Sequence, residues 1–152
     1  VSEELVPLAR TGNAIRRLIA QHGRFPEDLR KRLPPKMRQV SQPLLMDARR
    51  RASWSKRIPA ALRIATSFTR RQAGVSLVAN RTKAPHARVY EGIRGNADFR
   101  HPVFPRFGRR EVWVEQRTRP FAQPAADLHG ASAVRAVNEA VDEAAHAAGY
   151  GK

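Results

Sequence analysis

The chain has 152 residues, no cysteine, 29 basic and 13 acidic side chains and a formal net charge of +16. That length suits one domain burying roughly two thirds of its unfolded surface, and the missing thiols exclude disulfides, thiolate metal sites and cysteine nucleophiles together. No apolar run approaches the ~18 residues of a membrane span and no secretory pattern of basic, apolar and small-residue zones is visible, so a soluble chain made in the cytosol is expected.

Leu8, Ile15, Leu18 or Ile19 and His22 fall near helical spacing, which predicts an amphipathic helix from about Pro7 to Gln21 that stops at Gly23, with Thr11 available to cap a later start. Pro26-Glu27-Asp28-Leu29 reads as a second helix entry, because proline suits a first turn and acids there complement the dipole. Pro34-Pro35 is expected to end or restart it. Met37, Val40, Leu44 and Ala48 then predict a helix from Pro35 to Ala52, kinked at Pro43. Arg49-Arg50-Arg51 closes it, and a solvated helix end is favoured over phosphate contact, since three consecutive residues cannot share one helix face.

Ser53-Trp54-Ser55 reads as a turn with capping hydroxyls, and Ile58 to Leu62 as a further helical turn. Ile64, Thr66 and Phe68 alternate with smaller residues as a strand does; Gln72-Ala73-Gly74 turns the chain, and Val75, Leu77 and Ala79 return. Pro85 to Tyr90 reads as one helical turn. Phe99 to Phe104 and Glu111 to Arg117 are the arms of a hairpin, joined through Pro105, Phe107 and Gly108. Val112 and Val114 share one face of the second arm, and Trp113 sits on the other between Glu111 and Glu115. One face is expected to meet helices, and Trp113 to lie partly covered at a subunit boundary.

Pro124 to Ala148 is a long helix with Leu128, Ala131, Val134, Val137 or Asn138, Val141, Ala144 or Ala145, and Ala148 on one stripe, ending at Gly149. Tyr150-Gly151-Lys152 is expected to fray. The whole reads as one α+β domain: helical over 7–52, sheet-rich over 58–121, helical over 124–148. Its antiparallel sheet of about four strands packs against long helices from the N-terminal half and the C-terminus.

The charge is uneven: residues 1–60 carry 14 basic and 5 acidic side chains, residues 61–120 carry 13 and 4, and residues 121–152 carry 2 and 4. Such an excess attracts polyanions, either nucleic acid or an acidic protein surface. Arg outnumbers Lys 24 to 5, as a high-GC genome produces, which accounts for the choice of Arg but not for the shortage of acids. His22, His86, His101, His129 and His146 show no spacing that sets two ligands on one helix face, and His101 is read as hydrogen-bonded within the hairpin. Glu91, Asp98, Glu111 and Glu115 would serve a nuclease only if they converged on metal. Gly92, Gly95 and Gly108 form no phosphate-cradling loop. Accordingly no catalytic, metal or cofactor-binding residue is assigned.

One ordered set of short motifs stands out: Trp54-Ser55-Lys56-Arg57-Ile58-Pro59, Gly74-Val75, Tyr90-Glu91-Gly92, Phe99-Arg100-His101-Pro102-Val103-Phe104, Trp113-Val114 with Gln116, and Pro120-Phe121. It resembles the tail-completion (minor tail, neck) family of long-tailed bacteriophages, over roughly Leu29 to Ala148, with the specific part between Trp54 and Pro124. Where the family's arm usually continues with Gly after the Phe, this chain has Pro105.

The resemblance implies a non-catalytic virion protein, assembled in the host cytoplasm. It would form an oligomeric ring of six copies that completes the tail end and joins the tail to the DNA-filled head. Its neighbours would be tail-terminator, tail-tube and head-closure or connector proteins, without a membrane. Trp54 and Trp113 are the expected packing anchors; His101, Phe104 and Phe107 are further contact residues, and Arg106, Arg109 and Arg110 contact a partner or genomic double-stranded DNA. Asp142 and Glu143 are expected to meet the basic part of a neighbour, because closed rings join unlike patches. The competing reading is a sequence-independent nucleic-acid-binding protein, with salt-sensitive affinity.

Overall fold

The computed structural model describes residues 1–10, 13–24, 26–68, 73–92, 98–103 and 112–150, in an α+β arrangement. Leu29, Leu33 and Met37, spaced by four, are fully buried along α2 (Glu27–Val40), and Leu44, Leu45 and Ala48 continue the core along α3 (Gln42–Arg51). That row carries α2 straight through Pro34 and Pro35, contrary to the expected break. The two missing N–H groups are tolerated because apolar burial at every fourth residue holds the turns on either side. The helix predicted over 35–52 breaks at Ser41 instead of kinking at Pro43. Pro43 lies in the first turn of α3, where a backbone N–H has no intrahelical acceptor to lose.

The helix predicted over 7–21 divides in two. Ser2–Arg10 is a strand, β1, antiparallel to β3 (Ala73–Asn80), and only Asn13–His22 is helical, as α1. Leu5 and Val6 are buried, and Pro7, opposite Ser76, is accommodated because β1 is an edge strand whose register shifts on both sides of the proline. Long-range pairing here overrides the local spacing.

β2 (Leu62–Phe68) flanks β3 on its other side, giving the order β1-β3-β2, with Leu62 opposite Ala79 and Ile64 opposite Leu77. These residues and Val75 are buried, and α2, α3 and α6 (Ala122–Ala147) pack against the sheet. β4 (Asp98–Val103) and β5 (Val112–Arg117) pair only with each other, so among the described residues there are five strands in two sheets rather than four in one. The reason is β1: it occupies the flank of β3 that a fourth strand would have taken.

The long C-terminal helix is present as predicted, with Val137, Val141 and Ala145 of the predicted stripe buried, but the first half of the stripe differs. Ala122, Ala125, Ala133, Val137, Ala140, Val141 and Ala145 face inward, whereas Leu128 is 62% exposed and Ala131 is exposed. Alanine at the contact lets α6 lie close to its neighbours, a spacing leucine would prevent. Two ion pairs fasten its outer side, Arg17 Nη2 to Asp142 Oδ1 at 2.6 Å and Lys36 to Glu143. Its end is tied down as well. Gly149, at φ 83°, lets the Tyr150 N–H reach the Ala145 carbonyl at 2.9 Å. The Tyr150 hydroxyl then donates to Asp28 Oδ1 at 3.0 Å, and its ring meets His22 edge-on. Tyr150 is thus anchored rather than frayed; Gly151 and Lys152 lie outside the described residues.

The start of α6 has no side-chain cap of its own at Phe121. Glu91, buried at the end of the short helix α5 (Ala87–Glu91), supplies one. Its Oε2 accepts the N–H groups of Phe121 at 2.9 Å and Ala122 at 2.8 Å, and its Oε1 accepts that of Gln123 at 2.7 Å. Three orphan donors and the positive end of the helix dipole meet one carboxylate.

The three arginines closing α3 are structural. Arg49 Nη2 donates to the Leu62 carbonyl at 2.9 Å, while Arg50 Nη2 and Arg51 Nε donate to the buried Asp47 carboxylate at 2.6 and 2.9 Å. His129 of α6 approaches the same carboxylate, with Nε2 3.5 Å from Oδ2. The Arg51 hydrogen bond, helped by Arg50 and opposed by burial, holds Asp47 below its ordinary value of 3.8.

Two outcomes are expected. Glu91→Ala destabilises the chain by about 2 kcal/mol in urea unfolding, as loss of a buried charged cap requires. A depressed pKa makes the unfolded chain protonate first on acidification, so the Asp47 contribution is complete above pH 3.8 and is lost as pH falls below that value through the lower folded pKa. Thermal unfolding against pH should show that acid limb, and Asp47→Asn should flatten it.

Candidate functional site

β4 and β5 form an antiparallel hairpin in which Phe99 faces Gln116, His101 faces Val114 and Val103 faces Val112 on one side, while Asp98, Arg100 and Pro102 face Arg117, Glu115 and Trp113 on the other. The first side touches the body only near its base. There the Tyr90 ring of α5 meets Phe99 edge-on at 5.4 Å and its hydroxyl accepts from Gln116 Nε2 at 3.1 Å. Behind Tyr90 stands Trp54, 4.9 Å away between ring centroids, with the Arg119 guanidinium 5.3 Å above the indole. The Arg119 N–H donates to the Tyr90 carbonyl at 2.8 Å, closing the joint between α5 and α6.

Farther out the hairpin is bare. Val112 is 55% exposed, Trp113 52%, and Val103 and Val114 are also exposed, so apolar side chains stand in solvent on both faces. One face was expected to meet helices, and the contact observed is at its base, where Phe99 and Gln116 meet Tyr90 of α5. An open groove of about 400 Å³ runs along the base between α5 and β4, lined by residues that include His86, Val89, Tyr90, Phe99 and Pro102. Arg100 Nε and Glu115 Oε1 stand 4.0 Å apart on the other face, both exposed.

Trp54 and His101 thus belong to one aromatic row through Tyr90 and Phe99, with His101 in a tilted ring contact at 6.1 Å from Phe99. Among the described residues the His101 side chain makes no hydrogen bond, because its place on an apolar face offers Phe99 and Val114 as neighbours rather than acceptors. Trp54, 38% exposed, packs on Tyr90, whereas Trp113, 52% exposed, stands on the opposite face of the hairpin. Asp142 and Glu143 are not joined to the hairpin and are engaged by Arg17 and Lys36 of the same chain. Phe104, Arg106, Phe107, Arg109 and Arg110 lie outside the described residues.

Of the carboxylates weighed for nuclease chemistry, Glu91 caps α6, Glu115 faces Arg100, Asp98 is opposite Arg117, and Glu111 lies outside the described residues. Among the described residues no group of three or more His, Asp or Glu is placed to hold a metal ion, and no helix is long and apolar enough to cross a membrane. Tyr90 and Arg119 were given no individual contact role by the sequence. The signal was present in the run Tyr90-Glu91-Gly92, where Gly92 at φ 107° ends a helix too short to be stable alone. No protein-family model, curated protein or solved structure matches the chain.

Because the base contacts centre on one ring, Tyr90→Ala should free the hairpin without unfolding the body. Limited trypsin digestion is expected to cut after Arg100 and Arg117 several-fold faster in this variant, while Leu128→Ala, on the outer side of α6, leaves the rate unchanged.

Proposed function

We propose that the chain is a non-catalytic structural protein of the neck of a long-tailed bacteriophage, one of a ring of copies that completes the tail end and joins it to the DNA-filled head. The observation that carries this reading is the hairpin, fixed to the body at its base and exposing Val103, Val112, Trp113 and Val114 beyond it. A two-stranded ribbon has little stability alone in water, and an arm with apolar residues on both faces gains by being covered. The ordered motif set agrees, since Tyr90, Glu91, Phe99, Trp54 and Gln116 build the joint that aims this arm.

In this reading the tail-terminator and tail-tube proteins lie on one side and head-closure or connector proteins on the other. Exposed cations on the body, among them Arg16, Arg24, Arg32, Arg38, Lys56 and Arg57, would steer it toward anionic surfaces, genomic DNA included. The same cations support the second reading, a sequence-independent nucleic-acid-binding protein.

Retention on DNA at low salt is expected of both and separates nothing. Mass analysis of purified particles of the encoding virus separates them. The neck reading predicts the chain at ring copy number in tail fractions and its loss from particles when its gene is deleted. Absence from mature particles, with the chain recovered on free DNA, would overturn it.

A further inference from the structure

The hairpin has two open edges as well as two exposed faces, and the edges are unlike. In an antiparallel pair alternate residues turn their N–H and C=O groups toward the partner strand, and the others turn outward. Proline, lacking an N–H, fits such a ladder with its nitrogen on the open side. Pro102 therefore sets the alternation: Asp98, Arg100 and Pro102 turn to the outer edge of β4, and their opposites Arg117, Glu115 and Trp113 turn to the outer edge of β5. Among the described residues no strand pairs with either edge.

We infer that the outer edge of β5 accepts β4 of a second copy of this chain, in the register already used within the hairpin. Charge selects this occupant. Laid antiparallel there, Asp98 of the second copy meets Arg117 and Arg100 of the second copy meets Glu115, each pair exchanging two backbone hydrogen bonds, while Pro102 of the second copy, near the end of β4, meets Trp113 and accepts its N–H without returning one; each cross-strand pairing of the hairpin is repeated. Pairing two β5 edges about their centre sets Glu115 against Glu115, and pairing two β4 edges sets Arg100 against Arg100 and combines two strands that each lack a donor at Pro102. Both like-with-like arrangements oppose equal charges. The unlike arrangement also joins the exposed Val112 and Val114 to Val103 of the second copy in one apolar strip on the other face. Such an interface is heterologous: each copy offers β5 to one neighbour and β4 to the other, the connectivity of a closed ring.

The inference deepens the ring reading and rests on it, and its test reads the interface alone. The chain has no cysteine, so single cysteines report contacts between copies. Cα atoms of directly paired residues stand about 5.5 Å apart, within disulfide reach. A mixture of full-length Asp98→Cys and Arg117→Cys chains, oxidised gently, should give the crossed dimer as its main product. A mixture of Asp98→Cys with Gln116→Cys, one residue out of register, should give several-fold less. In sedimentation of the otherwise unmodified chain, Glu115→Pro, which removes an outward N–H, should weaken self-association at least about tenfold beyond Glu115→Ala, which loses only the side chain. Circular dichroism of both variants should match that of the parent. Equal cross-linking in the two mixtures, equal association of the two Glu115 variants, or a parent chain that stays monomeric overturns the interface. Presence or absence of the chain in virus particles is read separately and bears on the neck reading alone.

Discussion

The exposed arm is joined to the core beside one buried carboxylate. Glu91 gathers the N–H groups of Phe121, Ala122 and Gln123, and so fixes where the longest helix begins relative to the short helix α5. The residue before it, Tyr90, faces the other way and holds the hairpin through Phe99 and Gln116. Two adjacent side chains thus couple the buried core to the exposed arm. The Arg119 N–H on the Tyr90 carbonyl makes the coupling rigid, because the chain entering α6 is bound to the same turn that the carboxylate caps. A charged cap taken from a distant helix costs the ordering of α5, and the three bonds it accepts offset that cost.

Body and arm differ in how their acids and apolar side chains are covered. In the body, Asp47 has both arginines and His129 beside it, and Asp142 and Glu143 have Arg17 and Lys36. Its sheet pairs β3 on both flanks, while among the described residues the outer edges of β1 and β2 stay unpaired, as those of the hairpin do. In the arm, open edges and exposed valines remain. Apolar side chains exposed on one arm give an association a defined direction.

The sequence was most legible where one local rule settled the outcome. Alternation in 64–79 and the long alanine-rich helix to Ala148 depend on periodicity alone, and both elements are present. The hairpin was visible from its β-branched and aromatic runs. Illegible were the features that arise between segments. β1 has a proline and few strand formers, and exists because β3 offers it an edge; α2 survives two prolines because Leu29, Leu33 and Met37 are buried together. Val137, Val141 and Ala145 of α6 face inward as read, but the first half of the stripe was misread because hydrophobicity favoured Leu128, whereas close packing favoured alanine. Within the candidate site, Tyr90 stood in a recognisable motif, while its contact with Phe99 required knowing that α5 turns it toward β4.

The central claim is that the arm is held ready by the body and completed by neighbouring copies. Hydrogen exchange at single-amide resolution on the dilute chain and on its assembled form tests this most directly. The account predicts that the amides of Trp113, Glu115 and Arg117 exchange freely in the dilute chain and become protected on assembly, while those of Val112, Val114 and Gln116 are protected in both states. Equal protection of the outward amides before and after assembly would contradict it.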